Sequence, residues 1–149
     1  MVEARQFCTF WLDRLYLGVD VRDVQGVISH QPLTRVPLAP PAVRGLMNLR
    51  GEIIAGIDLR PCLGLDARKG DHREVNIILK GPRGPVSLLV DRIGYVAAVA
   101  EHECEPTPET LPARIREITA CVCRHDDKVM LLLDVEKVIQ LASGIEAAF

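Results

Sequence analysis

The stretch "IIAGIDLRPCLGL", residues 53–65, comes back at 129–141 as "VMLLLDVEKVIQL". Aligned without a gap, Ile53 meets Val129, Ile57 meets Leu133, Asp58 meets Asp134, Leu59 meets Val135 and Leu65 meets Leu141. A looser match sets "LYLGVD" (15–20) over "VSLLVD" (86–91), pairing Val19-Asp20 with Val90-Asp91. Self-similarity of this kind marks a duplicated unit.

Outward from the repeat, the apolar runs are short, rich in Val, Ile and Leu, and punctuated by Gly, Pro, Asp or polar pairs, as strands are. One set covers 7–12, 15–20, 26–29, 46–49 and 52–58, and a second covers 75–80, 86–91, 95–100, 118–124 and 129–134. Asp13-Arg14, the "GPRGP" of 81–85 and the "HDDK" of 125–128 supply hairpin turns, while Pro32–Pro41 and Glu103–Pro112 make two longer, proline-bearing loops. Helix is expected only at 20–25, 59–64 and 134–143, where Val135, Val138, Ile139 and Ala142 share one face. Each half thus runs hairpin, long loop, hairpin, terminal helical turn. Five short strands in roughly 65 residues are enough to close a small barrel, which removes exposed sheet edges. The expected fold is all-β, two small barrels within one domain of 1–149: subdomain 1 at about 7–66, subdomain 2 at about 74–134 and a C-terminal helix at about 135–143. A single sandwich of eight to ten strands is the alternative.

Composition narrows the function. The chain has 149 residues, 48% hydrophobic and 26% charged, enough for a real core. Its formal net charge of -2, with basic and acidic residues spread along the chain, argues against general nucleic-acid binding, which needs clustered Lys and Arg. The apolar run in "MVEARQFCTFWLDR" is too short for a signal-peptide core or a membrane span. Five cysteines without framework spacing read as reduced thiols, so a cytoplasmic location is expected.

Asp58 and Asp134, equivalent in the repeat, invite comparison with an aspartic dyad, in which two lobes each supply a carboxylate and the pair shares a proton. A bulky apolar residue and a charge follow each one, "DLR" and "DVE", so both are read instead as helix N-caps. On a strand, Cys121, Cys123 and His125 point to one face, with His102 or Cys104 as a fourth ligand, which gives a metal- or thiol-dependent alternative. Zinc sites usually draw on C-x-x-C knuckles, and none occurs, so buried thiols are the preferred reading. Ser29, Ser87 and Ser143 lack the Gly-flanked nucleophile elbow, and no G-K-[ST] follows the glycines of "KGPRGP". No catalytic residue, metal or cofactor is expected. Binding is the chemistry that remains.

"GLMNLRGEIIAGIDLR" (45–60) closely resembles the signature of the CheW-like domain family, in which a Gly, an N-x-R-G turn, an apolar strand and D-L-R follow in that order. The resemblance extends through "FCTFWLDRLYLGVDVRDVQGV", "LTRVP", "LLVDRIGYV" and "MLLLDVEKVIQL". It implies two five-stranded SH3-like barrels and a scaffold without enzymatic activity, one that joins the cytoplasmic tips of chemoreceptors to the regulatory domain of the histidine kinase CheA. By matched position it implies partner-binding roles for Val24, Gln25, Gly45, Arg50, Gly51, Ile93 and Val96, with a receptor helix received in the groove between the barrels. One position departs from the family pattern: Gly26 stands where an acidic residue commonly follows the Val-Gln pair, close to the turn arginine. The departure points to a coupling protein of a specialised array, such as one controlling pili, surface sensing or development.

Overall fold

The computed structural model describes residues 4–67, 73–125 and 127–143. Eleven strands lie in two sheets: β1 (Ala4–Leu12), β2 (Leu15–Asp20), β3 (Val24–Ile28), β4 (Val43–Leu49), β5 (Glu52–Ile57), β6 (Val75–Gly81), β7 (Gly84–Val90), β8 (Arg92–Ala100), β9 (Cys104–Glu105), β10 (Thr119–His125) and β11 (Lys128–Leu133). Among the described residues three short helices accompany them, α1 (Arg60–Leu63), α2 (Ala113–Ile118) and α3 (Val135–Ser143).

One sheet has the order β8-β1-β2-β11-β10-β9 and the other β3-β6-β7-β5-β4. The repeat survives in this topology strand for strand. β5 is antiparallel to β4 and parallel to β7; its counterpart β11 is antiparallel to β10 and parallel to β2. Even the bridge between Thr34 and Leu46 has its match in the pairing of Glu105 with Val122.

The lobe boundaries differ from those expected at 7–66 and 74–134. The β1–β2 hairpin belongs to the sheet of β8–β11, and the β6–β7 hairpin to the sheet of β3–β5. Each half of the chain therefore gives its first hairpin to the lobe of the other half. The reason lies in the connections. From β2 the chain reaches β3 through three residues, Val21–Asp23, and from β7 it reaches β8 through Asp91 alone, and both steps change sheets.

Each sheet curls back on itself. β8 and β9 are opposite ends of one ladder, yet only Glu101–Glu103 separates them in sequence. β3 and β4 end the other, joined by the proline-bearing loop that Thr34 pins to Leu46 in both directions at 2.8 Å. Phe7, Ala97, Val99, Cys123, Met130 and Leu132 fill the first lobe, and Met47, Ile54 and Ile78 the second. The opposite faces of the same strands meet in a larger core shared by both lobes, built on Phe10, Leu12, Leu17, Ile77, Leu79, Leu88, Leu131 and Val138. A run such as "VMLLLD" is apolar at consecutive positions because Leu131 and Leu133 face the shared core while Met130 and Leu132 face the lobe interior.

The helices correct the sequence reading in three places. The helix expected at 20–25 is a single 3-10 turn, Val21–Asp23, after which β3 begins. The sequence reading places no element between the loop ending at Pro112 and the strand beginning at Ile118; α2 fills that gap as a short helix with Pro112 at its N-cap and buries Ile115 and Ile118. Asp134 caps α3 as expected, accepting from the Lys137 N–H at 3.2 Å. The N-cap of α1 is Leu59 instead, and Asp58, one residue before it, accepts from the Arg60 N–H at 2.9 Å.

Candidate functional site

The β4–β5 hairpin closes through two residues, Arg50-Gly51, between paired Leu49 and Glu52. Both have positive φ, 54° and 86°, the signature of a type I′ turn that suits the twist of the flanking strands. The Asn48 side chain accepts from the Gly51 N–H at 3.0 Å and fixes the corner. A left-handed arginine costs on the order of 1–2 kcal/mol. Its side chain is exposed and, among the described residues, makes no hydrogen bond or ion pair. In the repeat this position falls on Asp126-Asp127; Asp127 is also left-handed, at φ 61°, and Asp126 lies outside the described residues.

Gly45 is buried and serves the loop. A Cβ there would lie 2.7 Å from the Thr34 carbonyl oxygen, so only glycine lets the loop approach β4 this closely. Val24 is half-buried against the shared core, and Gln25 is exposed. The β3–β6 register skips between Val24 and Gly26, so Gln25 is the extra residue of a bulge. Pairing sets Val24 level with Leu79, Val86 and Ala55, the end of the sheet at which Arg50-Gly51 turns. A Cβ on Gly26 would meet nothing within 4 Å.

β8 carries the corresponding bulge. Cys8 pairs with Val96 and Phe10 with Ile93, leaving Gly94 and Tyr95 opposite Thr9. The buried Thr9 hydroxyl donates to the Tyr95 carbonyl and holds the bulge. Strand alternation breaks here, so Tyr95 and Val96 are consecutive and both exposed, at 92% and 60%, while Ile93 tucks against the shared core. Val24 and Ile93 are thus partly buried against one core from two different sheets.

Charge fixes the crossovers that aim β3 and β8. Asp20, at the end of β2, accepts from Arg22 at 2.9 Å and Arg5 at 2.7 Å, and the Arg22 hydrogen bond above all holds its carboxyl well below the usual carboxylate range. Asp91, its counterpart after β7, accepts from Arg60 at 2.6 Å and from the Asp13 N–H at 2.7 Å. Arg60 is only 6% exposed; it also donates to the Asp66 carbonyl at 2.9 Å, and its buried Nε has no partner among the described residues. Arg44 spans Asp58 at 2.5 Å and Glu74 at 3.0 Å. Sequence reasoning paired Asp20 with Asp91 but missed their arginines; Arg60, set in "DLRP", looks like a surface residue.

A cleft of about 560 Å³ lies between the lobes, walled by Phe7, Leu133 and Ile139 and bordered by Asp20, Lys80 and Asp134. None of the seven residues implied by the resemblance lines it. Cys121 and Cys123 do share a face, with Cys104 across from Cys123, but no group of three His, Cys, Asp or Glu among the described residues is arranged to hold a metal ion. The metal alternative gains no support. No helix among the described residues is long and apolar enough to cross a membrane.

The model of the CheW-like domain matches residues 6–143. The chain is 27% identical over 136 residues to a chemotaxis protein CheW of Klebsiella aerogenes, covering 91% of this chain and 82% of that one. It is 29% identical over 139 residues to one of Treponema pallidum, with the same coverage. The crystal structure of the scaffolding protein TtCheW from Thermoanaerobacter tengcongensis superposes with a TM-score of 0.81 at 26% identity, covering 91% of this chain and 92% of that one.

Proposed function

Because the chain belongs to the CheW-like domain family, we propose that it is a non-enzymatic adaptor of chemotaxis-type signalling. In the cytoplasm it couples the tips of chemoreceptors to the regulatory domain of the histidine kinase CheA. The names of its relatives, chemotaxis proteins and a scaffolding protein, support the class of role. The observation that carries the reading is Arg50, exposed, without a hydrogen-bond or ion-pair partner among the described residues and fixed on a tight turn. A cation kept free at a conformational cost is one reserved for an acid on another molecule.

The seven residues then divide by role. Arg50 and Gln25 supply polar contacts, and Gly51 gives Arg50 its turn. Val96 offers exposed apolar surface on an edge strand, while Val24 and Ile93 contribute their half-exposed flanks. Gly45 acts indirectly by seating the loop on β4. With glycine at position 26, the acid that pairs with Arg50 comes from the partner.

Arg50→Glu tests this. The side chain is exposed and makes no hydrogen bond or ion pair among the described residues, so the melting temperature should stay within about 2 °C, the effect of a surface change of about 0.5 kcal/mol. Affinity for the receptor tip or the kinase regulatory domain, measured by calorimetry, should fall at least about tenfold, as for loss and reversal of a partnered charge. Unchanged affinity for both, or unfolding, removes Arg50 from the site.

A further inference from the structure

Three thiols gather at the seam where the first lobe closes. β9 is two residues long and forms the last rung of the six-stranded ladder, and the turn Glu101–Glu103 ties it to β8 at the opposite end. Register places Cys104 directly across from Cys123, and Cys121, two residues back along β10, presents its sulfur on the same face. The Cys104 and Cys121 side chains pack against the same lobe interior, and the Cys104 thiol donates to the Ala100 carbonyl oxygen at 3.9 Å. Both are half-buried at the lobe edge, within reach of a small solute, whereas Cys123 is only 3% exposed. Cys8 and Cys62 belong to the shared core and lie apart from this group.

From this juxtaposition we propose that Cys104 and Cys121 form a modification site, which a hydroperoxide converts to one disulfide that staples β9 to β10. Burial pushes the Cys121 and Cys123 thiols up to about 11, so both stay protonated at neutral pH. The Cys104 sulfur attacks one peroxide oxygen. An S–O bond forms while the O–O bond breaks, and the departing oxygen takes up the proton released by Cys104 and leaves as water or alcohol. The Cys121 sulfur then attacks the sulfur of the resulting sulfenic acid. An S–S bond forms, the S–O bond breaks, and the hydroxyl leaves as water with the Cys121 proton. Two thiols are oxidised to one disulfide and one peroxide is reduced.

The cross-link would close the loop from 104 to 121, which contains the proline-bearing segment and α2. Its main effect would be to restrict the unfolded chain.

The test treats the wild-type protein with hydrogen peroxide at neutral pH, alkylates it under denaturing conditions and maps peptides without reductant. The expected result is an intact mass lower by two hydrogens, a linked peptide pair carrying Cys104 and Cys121, and a melting temperature raised by about 8 °C until reductant is added. All three effects should vanish in Cys104→Ser and in Cys121→Ser and persist in Cys123→Ser. Linkage of Cys104 to Cys123, added oxygen without a linked pair, or five alkylatable thiols after treatment would each overturn the proposal. The wild-type map needs no variant, so a serine variant that folds poorly does not blunt the test.

Discussion

Replacing Asp91 with alanine is expected to destabilise the protein by about 3 kcal/mol, near the lower end of the range for breaking a buried ion pair from one side. The guanidinium of Arg60 sits where the two lobes join, in a residue only 6% exposed, and its contact with Asp91 is 2.6 Å. Without that carboxylate the buried cation keeps the Asp66 carbonyl and the fields of Asp58 and Asp13, while its Nε has no partner among the described residues to begin with. The low end applies because the Asp91 side chain is itself 22% exposed and the Asp66 bond remains. For a chain of this length about 3 kcal/mol lowers the melting temperature by about 9 °C. Urea unfolding followed by the fluorescence of the single tryptophan, Trp11, measures it directly. Adding Arg60→Met to Asp91→Ala removes the stranded charge and should restore at least half of the loss, a coupling that a double-mutant cycle isolates. The reasoning fails if Asp91→Ala costs less than about 1 kcal/mol, or if the double variant is less stable than Asp91→Ala alone.

Two further outcomes follow from the same geometry. Because its folded-state pKa is depressed, Asp20 contributes stability that is present above the ordinary carboxylate range and lost as pH falls through that range toward the folded value. The urea midpoint of the wild type should therefore decline from about pH 5 downward, and Asp20→Asn should flatten that decline; parallel profiles would refute the role of the Arg5–Asp20–Arg22 cluster. Gly94→Ala would place a Cβ 2.4 Å from the buried Thr9 hydroxyl oxygen and should cost about 1–3 kcal/mol by overpacking, whereas Gly26→Ala, with nothing within 4 Å, should change stability by less than about 0.5 kcal/mol in the same thermal melts. Equal effects at the two glycines would refute the bulge geometry of β8.

The duplication was legible because strand ends, aspartates and helical turns recur in order, and the structure keeps that order in β5–α1 and β11–α3. What could not be read was which lobe each hairpin joins. Strands apolar on both faces, such as β11, carry no alternation to mark an inside, so "LYLGVD" fits either sheet equally well on pattern alone. α2 hid because a single turn offers one i, i+3 pair, Ile115 and Ile118, and neighbouring prolines suggest loop. At the site, the Asn-x-Arg-Gly turn was visible through the family resemblance, whereas the hydrogen bond that the Asn48 side chain accepts from the Gly51 N–H came only with the structure. The exposure of Tyr95 beside Val96 was not visible, since a bulge registers only in pairing with Thr9. Nor was the burial of Arg60, which depends on an aspartate thirty-one positions away.

The exchange of hairpins between the lobes bears on how the molecule is made. As the chain leaves the ribosome, β1 and β2 emerge first, but their neighbours β8 and β11 are among the last strands synthesised; Ala4 must wait for Ala100. The second lobe, whose strands all lie between Val24 and Val90, is complete well before then and is free to fold while the first hairpin stays unsheltered. Long-range pairings of this kind slow folding. The late step is the docking of strands β8 to β11 around a waiting hairpin, and until it occurs Phe7, Phe10 and Leu17 lack the neighbours those strands supply.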